Sequence, residues 1–312
     1  MADKLEKIVR LEENIIAMEK EILKYQEMFE ADGVITKEEQ GQLDAMFSTI
    51  NAVVKELFRR KAALPPEITR SVFMAGTYEK KNYAPPTKLG LFDVSLNPKN
   101  GRLEILSKLN FNFIDGAAAD FAGKKGESNV WSDKEKKEWR KAYIALIEGR
   151  WGGKYHFIHP DMNNVTVYVD VEIEHADAGW HYDLQVKKIP KGEFEQSAVS
   201  IHDANPSTDE MVATLDSNDL KFVTKDASVK DKQKGAVHEY GHMIGLDDEY
   251  VDSDPGTIWH ETLVRDALGT VLVEGNFKDV MSVGNQIEKQ HYVTFLQALK
   301  DVTGLKKWQF KK

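Results

Sequence analysis

The stretch GAVHEYGHMIGLDDEY, residues 235–250, holds two histidines and four acidic residues around three glycines. His238 and His242 are four residues apart, so on a helix they stand one turn above each other on the same face. Both imidazoles can then converge on one ion, and zinc prefers such nitrogen ligands in a tetrahedral shell. Glu239 places a carboxylate beside the open side of that ion, where it can take a proton from water and later hand it to a leaving amine. This is the HExxH arrangement, two ligands and one base from a single helical turn. Gly245 can end the helix in a left-handed conformation and turn the chain back. Three residues later Asp248 reaches the same ion as a third ligand. The run Asp247-Asp248-Glu249 leaves Asp247 and Glu249 open as alternatives, with Asp248 preferred on spacing. Val237, Met243 and Ile244 fall off the metal face, as they would on a buried helix.

Such a helix needs rigid support. Ser132 and Glu135 form a capping box, and Trp139, Tyr143, Leu146 and Ile147 line one face of a helix ending near Gly149. Val165, Val167, Val169, Val171 and Ile173 alternate with Thr166, Tyr168, Asp170, Glu172 and Glu174, a strand with one apolar and one solvated face. WHYDLQVKKI (180–189) and LKFVT (220–224) predict further strands, as do Arg70–Tyr78 and Gly101–Leu109. The order of elements reads as α+β. Ahead of them, Leu5, Ile8, Leu11, Ile15, Met18, Ile22, Tyr25 and Phe29 recur at helical spacing over residues 4–30. Leu43, Met46, Phe47, Ile50, Val54, Leu57 and Phe58 do so in a second helix, opened by a capping box of Thr36 and Glu39. A turn at Asp32-Gly33 folds the two into an antiparallel hairpin. A calcium loop in that register would begin at Met28, which offers no oxygen, so the plain helix pair is preferred. Pro65-Pro66 and Pro85-Pro86 mark a linker. The chain thus divides into a hairpin (1–62), a proline-containing linker (63–90) and a main domain (91–312).

The 312 residues carry a formal charge of -9, which offers no basic face to nucleic acid. There is no cysteine, so thiolate ligands, cysteine nucleophiles and disulfides are excluded. No run of apolar residues is long enough to span a membrane. The start, MADKLEKIVRLEENIIAMEK, mixes charge through every turn and is not a Sec signal peptide. The expectation is a chain made in the cytoplasm which, if exported, leaves by a route needing no signal peptide.

The pattern HExxHxxGxxD resembles that of the metzincin zinc endopeptidases, in the variant with an aspartate third ligand found in the snapalysin family. The resemblance covers roughly residues 132–295. It implies Zn2+ held by His238, His242 and Asp248, with Glu239 as catalytic base. It also implies Met281, in FKDVMSVGNQ, as a structural support beneath the metal. The implied fold is a zincin-like α+β domain, a twisted, mostly antiparallel-edged sheet with an active-site helix, here preceded by the hairpin. Its substrate would be a protein or peptide, with an edge strand pairing to the substrate backbone. Metzincins with a tyrosine two residues beyond the methionine use it near the oxyanion. Val283 stands there in this chain, and Tyr292 takes the role if the next helix returns it to the metal. The carboxyl-terminal part also resembles bacterial metallopeptidases found with phage-tail-like injection systems, which would make the hairpin a docking or loading module for a protein partner.

Two rivals are distinct. A gluzincin-type site would take Glu261, on a later helix, as third ligand, although Arg265 stands where that family's following acid is expected. A non-catalytic binding or cargo module would keep the zincin fold only as a scaffold. His156, His159, His175, His181, His202 and His260 are scattered without ligand spacing and read as surface or hydrogen-bonded histidines, and His291 as packing.

Overall fold

The computed structural model describes residues 2–29, 36–87, 89–163, 165–200, 211–224, 232–249, 257–272 and 276–312. They form two compact units, one of residues 1–75, 160–163 and 303–307 and the other of 76–159, 164–302 and 308–312.

The first unit contains helices α1 (Ala2–Phe29), α2 (Lys37–Ala62) and α3 (Pro66–Ala75). Thr36 caps α2 by accepting from the Glu39 N–H, while the Glu39 carboxylate accepts from the Thr36 N–H at 2.8 Å. Ile8, near the start of α1, is buried with Leu57, near the end of α2, and with Leu64. Lys61 pairs with Glu12 at 2.7 Å across the same helices. The Asp32-Gly33 turn lies outside the described residues. Residues 63–90, expected as a linker, instead hold α3 and strand β1 (Tyr78–Tyr83). The strand expected at Arg70–Tyr78 is therefore mostly helix. Pro66 occupies the first helical position, where the missing N–H removes no hydrogen bond.

The second unit is a mixed sheet with helices. After β1 come β2 (Phe92–Asn97), β3 (Arg102–Ile114), β4 (His156–Ile158), β5 (Thr166–His175), β6 (Tyr182–Lys187), β7 (Ala198–Ser200), β8 (Val212–Asp216) and β9 (Gln309–Phe310). The order is β7-β8-β6-β3-β5-β4-β9, with β2 on β3 and β1 on β2. The central pairs β3–β5, β3–β6 and β6–β8 are parallel, and the peripheral pairs are antiparallel. Strand β3 is the spine. β5 follows one edge over residues 102–109, while β2 and then β6 share the other edge end to end.

Alternation decides which face is covered. Leu103, Ile105, Leu109 and Phe111 of β3 and Val167, Val169 and Val171 of β5 are buried. Helix α4 (Asp133–Trp151), capped by Ser132 and Glu135 as expected, packs on that face, with Tyr143 edge-on to Phe111 at 5.6 Å. On the other face the acids are partly solvated as expected, Glu174 is exposed, and Asp170 and Glu172 also pair with a cation. Arg102 meets Asp170 at 2.5 Å, Glu104 at 2.8 Å, and Glu172.

The strand expected at 220–224 is displaced. β8 occupies 212–216, and Val223 keeps a single bridge to Gln233. Between them the Asp219 carboxylate accepts from the Asp216 N–H at 2.7 Å and the Asp216 carboxylate from the Asn218 N–H at 2.5 Å, which makes 216–219 a side-chain-stabilised turn. Helices α5 (Gly235–Met243), α6 (Thr257–Leu268) and α7 (Val293–Thr303) complete the unit. Among the described residues no helix is long and apolar enough to cross a membrane.

Candidate metal centre

Helix α5 is buried on almost every side. A glycine at its first residue leaves room for Asp219, since a Cβ on Gly235 would stand 2.1 Å from Asp219 Oδ1 and displace that carboxylate. Trp151 Nε1 donates to the Val237 carbonyl at 3.2 Å, and the Tyr240 hydroxyl meets Ser107 Oγ of β3 at 3.0 Å. The Met243 carbonyl accepts from the Leu91 N–H at 3.0 Å and from the Tyr182 hydroxyl at 3.3 Å. Val237, Met243 and Ile244 are fully buried, as expected. One side of the helix is left to a cleft of about 420 Å³, and it carries His238, Glu239 and His242.

The helix ends in a Schellman turn. The Leu246 N–H bonds to the Gly241 carbonyl, the Gly245 N–H to the His242 carbonyl, and Gly245 has φ +94°. The reversal brings Asp248 back over the helix. Its Oδ1 lies 3.2 Å from His238 Nε2 and 3.4 Å from His242 Nε2, and the two nitrogens are 3.3 Å apart. Three ligands bound at about 2.0–2.1 Å around a tetrahedral ion are separated by about 3.3 Å, so this triangle has the size of one face of a zinc shell.

The protons point the same way. His238 Nδ1 lies 2.8 Å from the Val280 carbonyl and His242 Nδ1 2.9 Å from the Leu246 carbonyl. A carbonyl only accepts, so each ring carries its proton on Nδ1 and turns the Nε2 lone pair to the shared point. Asp248 Oδ1 is buried there, facing the two Nε2 atoms. Three electron-rich atoms facing one point require a cation, and in its absence a proton. Burial lowers the His242 pKa, but the Asp248 bond and charge and the Glu239 charge push it up to about 9. Burial raises the Asp248 pKa, but both histidines hold it well below the usual carboxylate range. The donor set fits zinc.

The other sequence-derived residues fall as follows. Asp247 lines the cleft, but its Oδ1 accepts from the Asp248 N–H at 2.9 Å, and it is not in the ligand group. Glu249 does not line the cleft and is buried against Gln290 and His291. Glu261 stands on α6 within 3.9 Å of Arg265 and joins no ligand group. Met281 is fully buried directly beneath Gly241. Tyr292 is not brought to the site. Its hydroxyl donates to the Trp151 carbonyl and accepts from the Lys154 N–H at 3.3 Å, because its ring is packed against Tyr155 and Phe295. His181 bonds Asp93 and His175 the Leu109 carbonyl, His159 packs on Trp308, and His156 is exposed. His202 lies outside the described residues.

Two features carried no sequence signal. Gln233, two residues before the helix, donates from Nε2 to the Val280 carbonyl at 3.1 Å and the Ser282 carbonyl at 2.5 Å, tying α5 to the turn that holds Met281. Glu249, Asp279 and His291 form a second, fully buried group whose ligand-type atoms lie within 4.8 Å of one another. Here the proton is on the other nitrogen. His291 Nδ1 accepts from the Glu288 N–H at 2.7 Å, so Nε2 carries the hydrogen and offers no lone pair to an ion. The donor geometry of the first group suits a metal ion, and that of the second suits a hydrogen bond.

The cleft is bordered by β7, which pairs with β8 on one side only among the described residues. A scan against protein-family models matches none, and searches of curated proteins and solved structures give no match.

Proposed function

We propose that the chain is a zinc-dependent endopeptidase with a metzincin-like site. The observation that carries this reading is the triangle of His238 Nε2, His242 Nε2 and Asp248 Oδ1, with its lone pairs convergent, in one cleft with the Glu239 carboxylate.

A zinc ion in that triangle would acidify a water and polarise a substrate carbonyl. Glu239 takes the proton of the attacking water and delivers it to the departing nitrogen, the work of a general base and then acid. The carbonyls of Val280 and Leu246 hold the two imidazoles in the ligating tautomer through the cycle. β7 offers backbone groups to an extended peptide along the edge that pairs with no described strand, which supports a polypeptide rather than a small-molecule substrate. The amino-terminal pair of helices is the docking or loading module of this reading. Val9, Ile16 and Phe47 are exposed on it, apolar contacts for a protein partner.

The test is Glu239→Gln. Purified without chelator, the variant keeps one zinc per chain while cleavage of unfolded casein falls by about 10²–10⁴-fold. Undiminished cleavage, or wild-type protein that takes up no zinc, rules the proposal out.

A further inference from the structure

The buried group that cannot hold an ion has another use. Glu249 follows the third ligand directly and is fully buried. Its N–H donates to the Met281 carbonyl at 2.9 Å. Its carboxylate accepts from Gln290 Nε2 at 2.8 Å and lies 3.1 Å from His291 Nε2. The same Gln290 amide reaches Asp279 Oδ2 at 3.3 Å, and the Gln290 carbonyl lies 3.4 Å from His260 Nε2. Asp279 in turn orders the methionine turn, since its carbonyl accepts from the N–H groups of Ser282 and Gly284. One carboxylate therefore joins three segments distant in sequence: the turn after the metal helix, the methionine turn, and residues 288–291.

Asp248 lies within the run that this network fixes. On its amino-terminal side, Leu246 is held by Gly241 and by His242. On its other side, Glu249 is the anchor. Among the described residues the Asp248 backbone bonds through its N–H to Asp247 Oδ1. We infer that Glu249 is a positioning residue of the metal centre, clamping the turn so that the Asp248 carboxylate arrives preset on the two histidine nitrogens. This rests on the metal site proposed above. Glu249 itself touches neither ion nor substrate.

The experiment measures zinc affinity by competition with a chromophoric chelator, and the visible absorption of the cobalt-substituted protein, for wild type, Glu249→Gln, Glu249→Ala and Asp248→Ala. Glu249→Ala is expected to lose about 10–100-fold in zinc affinity and to shift its cobalt spectrum towards that of Asp248→Ala. Glu249→Gln, which keeps the shape and one acceptor for His291, falls between Glu249→Ala and wild type, with a loss of about tenfold. If Glu249→Ala does not fold, Glu249→Gln decides. Affinity within twofold of wild type overturns the inference, and so does a lowered melting temperature with an unchanged cobalt spectrum. Wild type that binds no zinc, or Asp248→Ala that binds it as wild type does, defeats the metal site itself and is read separately.

Discussion

The sulfur of Met281 fills the space that a side chain at residue 241 would need: a Cβ on Gly241 would stand 2.2 Å from Met281 Sδ. Gly241 lies between His238 and His242, so the methionine is packed directly under helix α5. Gly241→Ala overpacks this contact and is expected to lower the unfolding free energy of the metal-free protein by about 1–3 kcal/mol. Met281→Leu keeps the volume and costs less than about 1.5 kcal/mol. Urea melts with chelator present make the comparison. A Gly241→Ala protein as stable as wild type would show that the helix and the turn are not in contact.

Gly245 sets the return of Asp248 over the helix. Its φ of +94° is closed to most side chains, and a Cβ there would stand 2.8 Å from the Leu89 carbonyl and 2.7 Å from Pro85 Cγ. Gly245→Ala should therefore cost about 1–3 kcal/mol through backbone strain. It should also weaken zinc binding by displacing Asp248. Chelator competition reads the second effect, and full zinc affinity in a destabilised Gly245→Ala protein would separate the bend from the ligand.

What could be read in advance was what local spacing decides. Two histidines one helical turn apart, a glycine that reverses the chain and an aspartate three residues later are brought close by helix geometry and the bend at Gly245. The boxes Thr36–Glu39 and Ser132–Glu135 and the alternation of Val165–Ile173 are local in the same sense. Partners brought by other segments were not legible. Tyr292 opens a helix near the methionine turn, yet packing with Tyr155 and Phe295 turns its hydroxyl to Trp151. Glu249, Asp279 and His291 come from three segments and have no common spacing. The double proline at 65–66 signalled a linker, although proline serves equally well as the first residue of a helix. The parallel pairing of β3 with β5 and β6 joins distant strands, and no turn chemistry announces it.

Tyr292 offers a direct check on the cleft. Removing its hydroxyl leaves the Trp151 carbonyl and the Lys154 N–H without this buried partner. Tyr292→Phe is expected to cost about 1–3 kcal/mol of stability. Its turnover number should remain within about threefold of wild type, since a lost oxyanion donor would cost about 10²–10³-fold. A loss of that larger size would place the hydroxyl at the reacting carbonyl.

Two buried groups near Glu249 respond to acid in opposite directions. Burial pushes the His260 pKa down from 6.5 to about 4, so between those values the unfolded chain binds the extra proton and stability falls as pH falls. Burial pushes the Asp279 pKa up from 3.8 to about 6, so the folded chain binds the extra proton and stability rises as pH falls through the same range. Each shift is worth at most about 3.5 kcal/mol, and in the wild type they largely offset one another. Replacing one group exposes the other. Relative to wild type, His260→Gln should become more stable and Asp279→Asn less stable on going from pH 6.5 to about 4.5. Urea melts at both pH values, with chelator present so that zinc binding does not contribute, read the two slopes. Parallel pH profiles for the two variants would show that neither group is held in the protonation state its burial dictates.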